Sequence, residues 1–282
     1  MVLNKKKLCK FLDDCLAFVN DEDNNLSSSF IEAIDDNQTV FNSYVMGLNI
    51  VKNILKEDLE FFLDCDPAAT STDEVKLAYP GYKAIEIYRI SHTLYQLGYK
   101  VQARFISEVA HSNTGIDIHP AASISYPFFI DHGTGIVVGE TSSIGKRVRI
   151  YQSVTLGAVS LSNAKELRGV KRHPTVGDDV TIYAGASLLG PINIGNNVTI
   201  GSNVFLTKDI ASNVKVVIGE PELIYNCRCT LVASIKGVDN SHNERTTSMM
   251  TSYEDWKEGT RVNYFPDGWS VDITKRDKLW QT

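Results

Sequence analysis

A chain of 282 residues with 43% hydrophobic and 22% charged side chains has the composition of a soluble globular protein, long enough for one large domain or two of ordinary size. A net charge of -6 argues against nucleic acid as a partner, because phosphate backbones are met by clustered Lys and Arg. No apolar run approaches the roughly 18 residues of a membrane span, which removes a helical membrane protein from consideration.

The opening Met-Val-Leu-Asn-Lys-Lys-Lys leads into a segment broken by charges too soon to form a signal-peptide core, so a cytoplasmic location is expected. Five cysteines (Cys9, Cys15, Cys65, Cys227 and Cys229) show no disulfide-scaffold spacing, and the gap between Cys227 and Cys229 is too short for a metal knuckle. Reduced thiols and no metal are expected. Residues 1–115 read as an α-helical domain, with apolar residues at three and four spacing in Leu8, Phe11, Leu12, Cys15 and Phe18. Ser27-Ser28-Ser29 offer helix N-caps, Asp66-Pro67 marks a helix boundary, and a helix over about Tyr82–Leu97 should stop at Gly98.

From Ile118 onward the pattern changes to a six-residue aliphatic period. Ile118, Ile124, Ile130 and Ile136 fall six apart; after a two-residue slip Val138, Ile144, Ile150 and Leu156 follow, and past an insertion the series resumes as Val176, Ile182, Leu188, Ile194, Ile200 and Leu206. This spacing suits neither a helix nor an ordinary strand, but it suits short strands joined by tight turns and wound into a solenoid. The expected fold is therefore α+β: helices over 1–115, a parallel β-solenoid over 116–225 with a loop inserted at 158–171, and a C-terminal extension over 226–282. The extension carries Tyr253, Trp256, Tyr264, Phe265, Trp269 and Trp280, more aromatics than a disordered tail usually holds.

The repeat resembles the left-handed β-helix of the hexapeptide acyltransferases, and the left hand is implied by that resemblance alone. Asp117-Ile118-His119-Pro120-Ala121-Ala122, Asp131-His132-Gly133-Thr134-Gly135-Ile136-Val137-Val138-Gly139-Glu140-Thr141, Gln152-Ser153-Val154-Thr155-Leu156-Gly157 and Arg172-His173-Pro174 are similar to serine O-acetyltransferases in particular. The resemblance runs from about Asp66 to Ile224. It implies transfer of acetyl from acetyl-CoA to L-serine, the activating step of cysteine biosynthesis, in a homotrimer or a hexamer of paired trimers with active sites between subunits.

Attack of a serine hydroxyl on a thioester needs a base, and neutral imidazole has suitable basicity near pH 7. His132 is the candidate. Asp117 lies fifteen residues earlier, which on a coil of about eighteen places it nearby to orient the ring and stabilise its protonated form. The zwitterionic substrate needs a guanidinium for its carboxylate, suited to Arg172, and carboxylates for its ammonium, suited to Asp66 and Asp131. The family resemblance assigns the same roles and adds His173 to the serine pocket as a hydrogen-bond donor. It also maps the acetyl-CoA groove onto Gly157, Ala158, Ala184, Gly185 and Ser202, matches Glu140 without a clear role, and leaves His119 a structural residue.

The loop after Ala158 is longer than in many members of that family, and Glu222-Leu223 stand where a small-basic pair is usual. Many members also carry a tail ending in Ile that enters O-acetylserine sulfhydrylase, whereas this chain ends Leu-Trp-Gln-Thr, so that association is not expected. Feedback inhibition by L-cysteine in the serine pocket is an expectation carried by the resemblance. Rival readings are an acetyltransferase of the same fold acting on a sugar or antibiotic hydroxyl, a solenoid carbonic anhydrase needing three convergent histidines, and a non-catalytic scaffold.

Overall fold

A computed structural model describes residues 4–22, 25–159, 166–218 and 231–235. Six helices come first: α1 (Lys5–Val19), α2 (Leu26–Ala33), α3 (Gln38–Cys65), α4 (Thr72–Ala78), α5 (Pro80–Gln96) and α6 (Lys100–Thr114). Asn4 caps α1 and Asn37 caps α3, each by accepting main-chain N–H groups of the first turn. The expected capping by Ser27, Ser28 and Ser29 is corrected: all three lie inside α2, and the Ser29 hydroxyl turns back to the carbonyls of Asn25 and Leu26. Asp66 ends α3 in an extended conformation, as a residue before proline should, and α5 stops just before Gly98, whose φ is +94°.

Fifteen short strands follow among the described residues: β1 (Asp117–Ile118), β2 (Ser123–Ile124), β3 (Phe128–Ile130), β4 (Val137–Val138), β5 (Ser143–Ile144), β6 (Val148–Ile150), β7 (Thr155–Gly157), β8 (Thr175–Val176), β9 (Thr181–Ile182), β10 (Ser187–Leu189), β11 (Asn193–Ile194), β12 (Thr199–Ile200), β13 (Phe205–Leu206), β14 (Val214–Ile218) and β15 (Leu231–Ile235). They stack into three faces. The first is β1-β4-β7-β10-β13, the second β2-β5-β8-β11, and the third β3-β6-β9-β12-β14, to which β15 adds antiparallel. The ladders within the stack are parallel, and partners such as Val137 and Thr155, or Ser187 and Phe205, are eighteen residues apart. Ile118, Val138, Leu156, Leu188 and Leu206 form one inward column, with Ile130, Ile150, Ile182, Ile200 and Val216 another, all buried. Each such side chain contributes roughly 1.5–3 kcal/mol on leaving water.

The phase slip has a definite place. Ile150 and Leu156 are six apart, as are Ile182 and Leu188, but their counterparts Ile130 and Val138 are eight apart. Two extra residues are thus accommodated in the corner between β3 and β4, and Ile136, expected to continue the inward series, sits buried just before β4 instead.

The helical part is fastened to the first coil at the foot of that corner. Asp58 of α3 and Arg89 of α5 form an ion pair in which the carboxylate is 0% and the guanidinium 5% exposed. Asp58 also accepts the N–H of Phe128, while Arg89 donates to the carbonyls of Ile124 and Ser125. Phe62 meets Phe129 edge-on at 4.7 Å, and a side chain at Gly81 would collide with the backbone of Ile130. These contacts hold the end of α3 against β3, the strand that leads into the slip. The extension 226–282 lies outside the described residues except for the backbone of β15; so do Cys227, Cys229, Glu222-Leu223 and, within the inserted loop, residues 160–165.

Candidate active site

His132 occupies the two-residue slip. The corner turns through His132 at φ 55° and Gly133 at φ +83°, and a Cβ on Gly133 would press on Ile116, so glycine is required there on both counts. The surplus residues cannot fit the core, and the imidazole is expelled: its side chain is 68% exposed, with Nδ1 3.6 Å from Oδ1 of Asp131. Asp66, at the end of α3, accepts a hydrogen bond from the Tyr79 hydroxyl at 2.8 Å. That bond pushes the Tyr79 hydroxyl up to about 12, with Asp131 adding a smaller effect in the same direction. Asp66 and Asp131 therefore act on one tyrosine, giving an acidic patch beside His132.

Arg172 and His173 sit on a different corner, where the inserted loop returns between β7 and β8. Arg172 pairs with Glu140 and donates to the carbonyls of Leu167 and Val170. The Arg172 hydrogen bond holds the Glu140 carboxyl below its usual range. His173 is 7% exposed, its Nδ1 accepts the N–H of Thr141 at 3.0 Å, and burial followed by the neighbouring Arg172 pushes it down to about 4. His173 is thus neutral at pH 7.

Asp117 lies on the first face, between the two corners. Among the described residues no hydrogen bond joins it to His132; its carboxylate accepts from Arg104 of α6 at 3.2 Å. Asp117, Glu108 and His111 bring possible metal-ligand atoms within 4.8 Å of one another, but the guanidinium of Arg104 already supplies a cation to both carboxylates. His119 accepts the N–H of Ala121 on Nδ1 and packs edge-on to Tyr95, supporting the turn after Pro120.

The small residues divide in the same way. Ala184, Gly185 and Ser202 stack above the corner that carries His132, linked by the bonds of Gly185 to Gln152 and of Asn203 to Ala184. Gly157 lies at the other end of the first face, directly over Gly139 and therefore on the His173 side, with Ala158 next to it. In one chain, then, Asp66, Asp131 and His132 are together on one edge, Arg172 and His173 are together on another, and roughly 15–20 Å of strand and turn separates them. Sequence reasoning left out Tyr79, Arg104 and Thr141. Only Thr141 stood in a segment already singled out, directly after Glu140.

The family described as bacterial transferase hexapeptide (six repeats) matches residues 173–208. A plasmid serine acetyltransferase of Synechococcus elongatus is 51% identical over 171 residues, 60% of this chain and 54% of that protein, so the chain spans about half of that relative. A serine acetyltransferase of Bacillus pumilus is 44% identical over 164 residues, covering 58% of this chain and 73% of the relative. Among solved structures, serine acetyltransferase 1 of Entamoeba histolytica in complex with L-cysteine superposes with a TM-score of 0.63 at 39% identity, over 77% of this chain and 88% of that one. Helices followed by a solenoid of about five coils match the left-handed β-helix of hexapeptide repeats.

Proposed function

The chain belongs to the serine acetyltransferase family, and from that premise we propose that it carries acetyl from acetyl-CoA directly to the hydroxyl of L-serine, with His132 as general base. As the serine oxygen bonds to the acetyl carbon and the carbon–sulfur bond breaks, His132 takes the hydroxyl proton and returns it to the departing CoA sulfur. Asp117 steadies the imidazolium in this reading, which requires its carboxylate to turn from Arg104. Asp66 and Asp131 receive the ammonium group, and Arg172 receives the carboxylate in exchange for Glu140. His173 donates from its other ring nitrogen. Gly157, Ala158, Ala184, Gly185 and Ser202 admit the pantetheine arm to the backbone, with no metal in the mechanism.

The observation that carries this reading is the exposed imidazole of His132 in a two-residue slip, flanked by Asp131. The separation of the two edges supports a homotrimer, or paired trimers, in which one copy presents His132 to the Arg172 of the next. The helical part, 1–115, supplies Asp66 and the solenoid part, 116–225, the remainder. Cys9, Cys15 and Cys65 are free thiols, which suits the cytoplasm, and among the described residues no helix is long and apolar enough to cross a membrane. Thiol release from acetyl-CoA with L-serine and with sugar acceptors tests the assignment: turnover with serine is expected, and its absence refutes the reading. The L-cysteine complex of the Entamoeba relative supports feedback by L-cysteine here, to be read as competition against serine.

A further inference from the structure

We propose that Thr141 is a positioning residue for the reaction: it locks His173 in the tautomer that carries its proton on Nε2 and pins the main chain from which Arg172 projects. The proposal rests on the serine-pocket reading of His173. Four contacts join this residue to Arg172 and His173. The N–H of Thr141 donates to Nδ1 of His173 at 3.0 Å, and the hydroxyl oxygen lies 2.8 Å from the same nitrogen. That oxygen also accepts the N–H of Arg172 at 3.0 Å and the N–H of His173 at 3.1 Å. With two main-chain donors on its lone pairs, the hydroxyl is left to donate its own proton, and Nδ1 is the atom in reach.

A ring nitrogen that accepts a main-chain N–H carries no proton, so neutral His173 must hold its proton on Nε2. Among the described residues Nε2 has no hydrogen-bond partner, and it lies against Gly139 on the first face. An oriented and unused donor is what an amino-acid substrate requires. Burial keeps the ring neutral, aided by Arg172 and Lys171 and opposed by Glu140, with His119 the remaining titratable neighbour. The carbonyl of Thr141 in turn accepts from Lys171 at 2.6 Å, which ties the returning loop to the same point.

The test compares the full-length wild type with Thr141→Val, which keeps shape and loses the hydroxyl, and Thr141→Ser, which restores it. Thr141→Val is expected to lower kcat/KM for L-serine about ten- to a hundredfold, leaving KM for acetyl-CoA and the unfolding temperature unchanged, with Thr141→Ser recovering most of the loss. Nitrogen-15 spectra of labelled histidine should show His173 with Nδ1 bare and Nε2 protonated in the wild type and, because the main-chain N–H of residue 141 remains, in Thr141→Val as well, so that the kinetic loss reports the hydroxyl's hold on the main chain of Arg172 and His173. Wild-type serine kinetics in Thr141→Val, or a wild-type His173 that carries its proton on Nδ1, overturns the proposal; so does a parallel fall in serine turnover, acetyl-CoA affinity and unfolding temperature. If the wild type does not acetylate serine, the functional reading fails and the nitrogen spectra alone decide the lock.

Discussion

Replacing Gly139 by alanine probes the site with a single methyl group. Gly139 follows β4, and its backbone lies outside the left-handed region, so alanine adds no torsional strain. The new Cβ would stand 2.8 Å from Cε1 of His173 and nearer still to Cδ2 and Nε2, all inside the 3.0 Å that real Cβ contacts respect. Restoring ordinary contact moves the ring by roughly 1 Å, and a displacement of that size at a substrate-binding group costs about a hundredfold in rate. The ring has little room to yield, being 7% exposed and held at Nδ1 by Thr141. Overpacking adds about 1–3 kcal/mol of destabilisation, so the variant should still fold. Steady-state kinetics at saturating acetyl-CoA, beside a thermal melt, would separate the effects. A folded Gly139→Ala enzyme with kcat/KM for serine within about threefold of wild type would refute the placement of His173 in the serine pocket.

His132→Ala should lower kcat by about 10²–10⁴ with no change in the thermal melt, because the ring is 68% exposed; a matching loss of fold would show that it is a structural residue. Arg89→Ala leaves the Asp58 carboxylate buried without its partner and should cost about 3–5 kcal/mol, read as a large fall in Tm, whereas an unchanged Tm would mean that the clamp contributes nothing. For His173 the folded value of about 4 lies below the ordinary 6.5, so its neutral form favours the fold. The stability it contributes is present above pH 6.5 and lost as pH falls from 6.5 towards 4. The wild type should therefore lose more Tm than His173→Gln between pH 7 and pH 4.5; equal losses would remove His173 from the acid response, since His92 and His119 titrate in both proteins.

The solenoid was legible because its inward positions obey a count, and a count survives without coordinates. Even the two-residue slip was visible, although the sequence placed it after Ile136 and the structure places it before, around His132. Helix caps were less legible: Asn4 and Asn37 do the capping, while the serines before Phe30 are inside α2, a choice made by which residues the helix can bury. The geometry of the candidate site was harder still. The inserted loop interrupts the six-residue count, so the edge to which Arg172 returns could not be derived from its number. Nor does spacing reveal that Arg104, from a helix outside the repeat, takes the Asp117 carboxylate. Position modulo six orders residues along a coil, but competition among side chains for the same charge is decided in three dimensions.

That return edge bears on how many chains make one site. His132 with Asp66 and Asp131, and Arg172 with His173, stand on opposite ends of the first face, and a serine molecule is far too small to bridge them within a chain. A threefold assembly would remove the difficulty by setting one edge of each copy against the other edge of its neighbour, and it would unite Ala184, Gly185 and Ser202 of one copy with Gly157 and Ala158 of the next. Complementation measures this directly. His132→Ala and Arg172→Ala chains, each inactive alone, would be co-expressed in equal amounts. If every site draws its imidazole from one copy and its guanidinium from the next, random mixing restores about one site in four, because only one of the four neighbour orders pairs two intact halves. If each site lies within one chain, every site keeps a defect and the mixture stays as inactive as its parents, which would end the shared-site account.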